Sequence, residues 1–383
     1  MWFLVALGIF FRFYNLDHRV FWHDEALTLH HVSGYTYLEL LNQVTARLIE
    51  FKEFSKFQHP NTGRGPEFVL ASLSYCQPEH APFFYLSAYY WAKVFSPEVG
   101  IMRCLPALLS LLQLPATYWL AMELFEAPLA AEFAVALMAL SPLQLSYAQE
   151  VREYSLITAI ICFASATFLR AIRKGSWPSW LLYLFTLIFG FYVSILTALV
   201  VLAHFFYIIS VYGLKWSRNL TSFLLATSIL LIAYVPWLAQ MVQGRQTEVV
   251  QSALVWLSKP VSVSELISSW FTKFPQIFLD FGDTHPGATN CLNAFILPLE
   301  LYALYVIARR GWHQTTFLLI TLFLIPAVGF SLWDIIFGGQ RSMFMQYMMP
   351  VPVAVLLCLA YVLYESQNTG PHNLRRLWHA IGY

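Results

Sequence analysis

Long apolar runs, separated by short polar connections, dominate the chain as far as about position 364. One helical crossing of a bilayer needs about 20 apolar residues, so such runs predict membrane-spanning helices. They are 1–14, 81–96, 100–124, 129–147, 154–172, 177–213, 220–240, 291–308, 315–332 and 350–364. The run at 177–213 is long enough for two crossings. The pattern therefore predicts an all-α integral membrane protein with no separate soluble domain.

Clusters of Lys and Arg indicate which connections are cytoplasmic, because short basic loops stay on that side of the membrane. The clusters are Arg170/Arg173/Lys174, Lys215/Arg218, Arg309/Arg310 and Arg375/Arg376. If all four clusters lie on the cytoplasmic side, one of the apolar runs before Arg170 cannot cross the membrane. The best candidate is 81–96, which is short, rich in aromatic residues and carries Lys93, as expected of a helix at the membrane interface. We therefore predict about ten crossings with both ends of the chain cytoplasmic.

This topology predicts one polytopic membrane domain over residues 1–364 and a cytoplasmic tail over 365–383. The outer loops are then about 15–99, 148–153, 193–197, 241–290 and 333–349. Within the first outer loop, apolar residues recur at steps of three and four, which predicts an amphipathic juxtamembrane helix. They are Tyr37, Leu41, Val44, Leu48 and Phe51. The run at 1–14 has neither a charged leading segment nor a small-residue cleavage site, so we interpret it as a retained span.

Composition supports the membrane interpretation and removes several other classes of protein. Hydrophobic residues make up 58% of the chain and charged residues 11%, against roughly 25% charged in soluble domains. Twenty-two Lys and Arg oppose 21 Asp and Glu, so the net charge is +1 and no basic field exists for nucleic acid. The five cysteines form no CxxC pair, which excludes zinc ribbons, thioredoxin chemistry and disulfide frameworks.

The densest polar cluster follows the first span, and Asp24 and Glu25 are adjacent carboxylates within it. Beside a hydrocarbon boundary such groups are costly to desolvate, and one of them could take a proton from an incoming hydroxyl or amine. The alternative is that both are ordinary solvated acids at the interface. His23, His30 and His31 could join them around a divalent metal. Their spacing matches no defined metal motif, so structural histidines are the competing interpretation.

Two further clusters are predicted on the same face. Glu150 and Arg152 lie in the short connection 148–153 and could reach the Asp24 site, or could form a local ion pair at a helix start. Arg341 follows two glycines that permit a close approach of backbone to ligand, and its guanidinium could hold a lipid phosphate. The competing interpretation of Arg341 is a plain turn whose side chain extends to the headgroups.

Glu79 and His80 precede Pro82, which suits the first turn of the interfacial helix. Both side chains could therefore face the same outer cavity as Asp24. The alternative for Glu79 is that it merely caps this helix.

The order of several segments resembles a known family. They are Phe13-Tyr14-Asn15-Leu16, Phe21-Trp22-His23-Asp24-Glu25-Ala26, Glu79-His80-Ala81-Pro82-Phe83-Phe84-Tyr85-Leu86, Arg103-Cys104-Leu105-Pro106-Ala107-Leu108-Leu109, Leu140-Ser141-Pro142, Ala148-Gln149-Glu150-Val151-Arg152-Glu153-Tyr154 and Gly338-Gly339-Gln340-Arg341. Together they are similar to the GT-C membrane glycosyltransferases, most of all to the bacterial branch related to protein O-mannosyltransferases and the lipid A aminoarabinose transferase. The resemblance covers residues 12–349.

The resemblance implies a transferase that moves a hexose or pentose from a polyprenyl-phosphate carrier to a protein, lipid or glycan acceptor. Transfer would occur with inversion on the outer face of the plasma membrane. By matching position Asp24 is the base, with Glu25 beside it as the second catalytic carboxylate, while Arg341 and Arg152 hold the carrier phosphate. The other predicted substrate-binding residues are Glu79, His80 and Glu150. No cofactor is clearly implied, and participation of a divalent metal is left open.

Two other classes of function remain as alternatives. A lipid-linked sugar flippase or transporter would need polar residues at mid-membrane depth, and the predicted spans are nearly free of charge. An outer-leaflet polysaccharide polymerase or ligase would need paired arginines in its late outer loops, where this chain has only Arg245 and Arg341.

Overall fold

The structure is a computed structural model that describes residues 1–61, 63–244, 255–280, 286–310 and 313–369. Within these ranges the chain is helical and contains no β-sheet. Arg245, Arg375 and Arg376, which the sequence analysis used, lie outside the described residues, as do most of the predicted tail and parts of the loop at 241–290.

Helices coincide with every predicted apolar run. In chain order these are α1 Trp2–Phe13, α6 Pro82–Val94, α7 Val99–Ser110, α8 Gln113–Phe125, α9 Pro128–Leu140, α10 Pro142–Ala148, α11 Tyr154–Lys174, α12 Trp177–Val193, α13 Thr197–Tyr212, α14 Arg218–Gly244, α16 Pro286–Arg310, α17 His313–Phe337 and α18 Pro350–Thr369. Among the described residues, five helical stretches are long and apolar enough to cross a bilayer unaided, and the bent pair α9 and α10 could form a sixth crossing. The predicted fold class is confirmed, while the total of ten crossings stays a prediction.

The remaining helices lie in the predicted outer loops. They are α2 His23–Ser33, α3 Tyr37–Val44, α4 Phe51–Ser55, α5 Pro66–Cys76 and α15 Val263–Lys273. A capping box between Thr36 and Glu39 starts α3. The amphipathic pattern predicted one helix through Phe51, but α3 ends at Val44 and a separate short helix follows. The break falls at Ala46, whose φ of 59° is incompatible with a right-handed helix.

Arg12, in the last turn of α1, lies inside the bundle. Its side chain is fully buried and donates to the carbonyl oxygens of Met138 at 3.2 Å and Ala139 at 2.6 Å. Pro142 cannot supply the N–H that would otherwise bond the Met138 carbonyl, so the helix bends by 58° between α9 and α10. The guanidinium of Arg12 therefore satisfies carbonyl groups that the bend leaves open.

Contacts between loops place several predicted outer segments at one end of the bundle. His80 and Ser194 form an isolated antiparallel bridge, which joins the first outer loop to the connection after α12. Arg19 donates to the Ser146 carbonyl oxygen at 2.6 Å and so joins that loop to α10. These pairings bring the polar residues of several loops together, and the side of the membrane on which the loops lie stays a prediction.

Candidate active site

Asp24 lies in the first turn of α2, at the positive end of the helix dipole, where a negative charge is stabilised. Its side chain is 19% exposed. The Tyr154 hydroxyl donates to Oδ2 at 2.9 Å, and Nη2 of Arg152 lies 3.5 Å from Oδ1. Arg152 is itself buried and also donates to the hydroxyl of Tyr85. The Asp24 carboxylate is therefore held in place by α11 and the connection before it, and part of its surface remains accessible.

Glu25 has a different environment, although it is the next residue. Both of its oxygens accept from the buried guanidinium of Arg103, at 2.8 Å from Nε and 2.6 Å from Nη2. The backbone N–H of Val151 adds a third bond at 3.1 Å. Arg103 also donates to the carbonyl oxygens of Leu16 and Val20. This network ties the first outer loop to α7 and to the connection carrying Arg152.

Glu150 is a second carboxylate close to Asp24. It is buried, and the Trp22 indole N–H donates to Oε1 at 2.7 Å. Burial raises the pKa of Glu150 to about 7, and the charge of Asp24 acts in the same direction against the hydrogen bond from Trp22. The site therefore contains one carboxyl group that titrates near neutral pH.

His80 and Glu153 form an ion pair on the other side of Arg152. Nδ1 of His80 lies 2.6 Å from Oε1 of Glu153, whose side chain is buried, while the His80 side chain is 20% exposed. Burial works against protonation of His80, but the Glu153 carboxylate outweighs it and raises the pKa of His80. The neighbouring Glu79 is exposed. The geometry thus pairs the His80 imidazole with Glu153, within electrostatic range of Arg152.

Arg341 begins a 3-10 turn, Arg341–Met343, in the last predicted outer loop. Its side chain is 17% exposed, its Nη1 lies 3.6 Å from Oδ1 of Asp334, and its guanidinium lies 5.8 Å from the ring centre of Trp333. The loop is anchored to another segment of the chain, because Gln340 donates to the carbonyl oxygens of Trp256 and Leu257. Residues 255–260 and 338–342 therefore form one unit that carries Arg341.

Tyr347 lies in the 3-10 turn Met345–Met348, shortly after Arg341. Burial is the main cause that raises the pKa of its hydroxyl to about 12; the charges of Glu79 and Asp24 act in the same direction, and those of Arg152 and Arg341 act against it. The phenol is thus within electrostatic range of charged side chains from the early loops and from the Arg341 turn.

Several residues of this region were not predicted from the sequence. Arg103 could have been singled out from the sequence, because a lone arginine in an apolar run is costly unless it is paired. Residue type alone does not single out Tyr85, Tyr154 or Tyr347, since tyrosines are frequent in membrane helices and at interfaces. Among the described residues, no group of three or more His, Cys, Asp or Glu side chains could hold a metal ion. His31 instead bonds Ser72 and Gln77, at 3.0 and 3.2 Å.

A groove of about 660 Å³ opens beside the site. It is bordered by Pro82 and Phe83, directly after His80, by Leu70 of α5, and by Tyr192 and Trp237 on the facing helices α12 and α14. Its lining is largely apolar.

The helical bundle with its outer juxtamembrane helices and its grouped loop charges has the GT-C membrane fold. ArnT from Cupriavidus metallidurans bound to undecaprenyl phosphate is similar over 94% of this chain and 59% of that protein, with a TM-score of 0.58 and 15% identity. An archaeal oligosaccharyltransferase, AglB from Archaeoglobus fulgidus in complex with an inhibitory peptide and a dolichol-phosphate, is similar over 100% of this chain and 52% of that protein. Its TM-score is 0.53 and its identity 16%. The chain thus spans little more than half the length of each.

Part of the chain also matches a known family in sequence. Residues 79–239 match the family described as dolichyl-phosphate-mannose-protein mannosyltransferase. No curated protein sequence matches the chain. The predicted resemblance to GT-C membrane glycosyltransferases of the protein-O-mannosyltransferase-like branch is confirmed, and the matched segment contains Glu79, His80, Arg103, Glu150 and Arg152.

Proposed function

We propose that this chain is a glycosyltransferase that moves a monosaccharide from a polyprenyl-phosphate carrier to an acceptor at the outer face of the membrane. The carrier class is supported by the two similar structures, which contain undecaprenyl phosphate and dolichol-phosphate. The observation that carries the proposal is the partly exposed Asp24 carboxylate, held by Tyr154 and Arg152.

In the proposed reaction Asp24 accepts the proton of an acceptor hydroxyl or amine. The acceptor atom attacks the anomeric carbon, and the bond from that carbon to the phosphate oxygen breaks on the opposite side, which inverts the configuration. The bonding electrons leave with the carrier phosphate. A phosphate leaving group needs charge stabilisation more than a proton, while the acceptor needs a base. One accessible acid and nearby cations therefore suffice.

Arg341 and His80 are the cations we assign to the phosphate, because both retain exposed surface. Arg152 is 1% exposed and already neighbours Asp24, Tyr85 and Glu153, so we assign it to orienting the base. Glu25 holds the backbone around Asp24 through Arg103, and Glu150 borders the base. The groove beside Pro82 would accommodate part of the prenyl chain.

The test is a transfer assay with the full chain reconstituted in lipid vesicles and a polyprenyl-phosphate-linked sugar as donor. Replacing Asp24 by Asn removes the base with little change of shape, and we expect a loss of turnover of about 10²- to 10⁴-fold. Asp17→Asn is the matched control, because it makes the same replacement at an exposed position of the same loop. Arg341→Ala should chiefly weaken donor binding. Full turnover of Asp24→Asn would overturn the assignment of the base.

A further inference from the structure

Asp334 is a buried carboxylate near the end of α17 to which neither the sequence motifs nor the proposed reaction gives a role. Its Oδ2 accepts the backbone N–H of Ser342 at 2.6 Å. This bond fixes the residue next to Arg341 and thereby the start of the turn from which the guanidinium extends. Asp334 consequently determines where the Arg341 backbone lies.

The other oxygen of Asp334 faces the Arg341 guanidinium without bonding it. Oδ1 and Nη1 are 3.6 Å apart, which is too long for a hydrogen bond. Both atoms are buried, and neither has a hydrogen-bond partner in the part of the chain that the structure describes. An unsatisfied buried charged group is costly. Nη1 therefore retains an unsatisfied donor hydrogen, while another part of the Arg341 side chain, which is 17% exposed, remains accessible.

Gly339 preserves this arrangement. A Cβ atom at this position would lie 2.5 Å from Nη1 of Arg341 and 2.7 Å from Oδ1 of Asp334. The backbone of Gly339 also has a φ of 142°, which side chains rarely allow. The loop thus excludes any side chain from the space beside the two unsatisfied atoms.

We propose that Asp334 is a positioning residue for the carrier phosphate. It fixes the Arg341 turn, serves as counter-ion to the guanidinium when the site is empty, and yields that guanidinium to the phosphate when the carrier binds. This inference rests on the proposed function, and it identifies Asp334 as the carboxylate that competes with the phosphate for Arg341. Because Asp334 opposes phosphate binding electrostatically, it also favours release of the carrier after sugar transfer.

The experiment measures the dissociation constant of farnesyl phosphate, a short isoprenyl phosphate, for the full chain in detergent. Asp334→Asn keeps an acceptor for the Ser342 N–H but removes the charge, so we expect roughly three- to tenfold tighter binding. Arg341→Gln should weaken binding, and the double variant should bind like Arg341→Gln, because Asp334 acts through Arg341. Glu265→Gln is the control, since it removes a carboxylate from the neighbouring α15 and should leave the constant unchanged.

Unchanged or weaker binding by Asp334→Asn, or purely additive effects in the double variant, would overturn the inference. If Asp334→Asn folds poorly, Asp334→Ser supplies the same acceptor without the charge and must bind more tightly than the native chain. A native chain that binds no isoprenyl phosphate would refute the proposed function and this inference together. Native binding with unaltered affinity in the Asp334 variants would refute this inference alone.

Discussion

The early and the late parts of the site each contain an arginine paired with a buried carboxylate, but the early arginine is buried, the late one is partly exposed, and the two pairs differ in geometry. Arg103 and Glu25 share two hydrogen bonds of 2.6 and 2.8 Å, and further backbone groups bond both side chains. Arg341 and Asp334 approach only to 3.6 Å, and the facing atoms have no hydrogen-bond partner among the described residues.

This difference indicates that the two pairs serve different purposes in the site. A fully satisfied pair can hold backbone segments together but has no hydrogen-bonding capacity left for a substrate. An incompletely satisfied pair stabilises its surroundings less, yet its guanidinium can gain hydrogen bonds when a phosphate arrives. We therefore interpret the Arg103 region as the rigid framework of the site and the Arg341 region as the part whose hydrogen bonds change when the carrier binds.

The largest effect on stability is expected from breaking the early pair. Arg103→Gln leaves the Glu25 carboxylate buried without its cation, which costs roughly 3–5 kcal/mol when a buried pair loses one partner. Arg341→Gln is the matched replacement in the late pair and should cost less, because Arg341 is partly exposed and Asp334 keeps its hydrogen bond from the Ser342 N–H. Thermal unfolding of both variants in the same detergent measures the difference. Equal destabilisation would contradict the proposed division between the two regions.

The sequence predicted the apolar helices better than the arrangement of the site. A run of some twenty apolar residues is visible without knowledge of its neighbours, so every predicted run corresponds to helix. Asp24 and Glu25 show the limit, since adjacent positions of a helix point about 100° apart. Which of them would meet Arg103 depends on how α2 packs against α7, and that packing has no local signature. The position of Tyr347 near charges from both halves is likewise set by tertiary structure.

The second prediction concerns Glu150, which is buried next to Asp24. Because burial raises the pKa of Glu150 to about 7, above its ordinary value near 4.3, the native state holds this proton more tightly than the unfolded state. The associated stability is present below pH 4 and is lost as the pH rises toward 7. Glu150→Gln cannot ionise and should therefore be more stable than the native chain at pH 8, by roughly 3–4 kcal/mol.

Unfolding of Glu150→Gln followed between pH 5 and 8 measures this effect, because its stability relative to the native chain should rise through that range. Asp17→Asn supplies the comparison, since an exposed carboxylate in the same loop should produce no such trend. If the difference between Glu150→Gln and the native chain stays constant with pH, Glu150 does not titrate as described.

The smallest predicted effect comes from His80, which joins the early region to the carrier. Since Glu153 raises the pKa of His80, the imidazole is protonated below that raised value and then attracts phosphate. Affinity for an isoprenyl phosphate should therefore decline by roughly three- to tenfold as the pH rises through the pKa of His80. His80→Lys should retain the affinity to higher pH, because lysine stays charged there, and His80→Gln should remove the decline and bind weakly throughout. Dissociation constants measured from pH 6 to 9 separate these outcomes.

Identical pH profiles for His80→Gln and the native chain would show that a group other than His80 causes the decline in affinity. Arg341 would then be the cation on which phosphate binding depends.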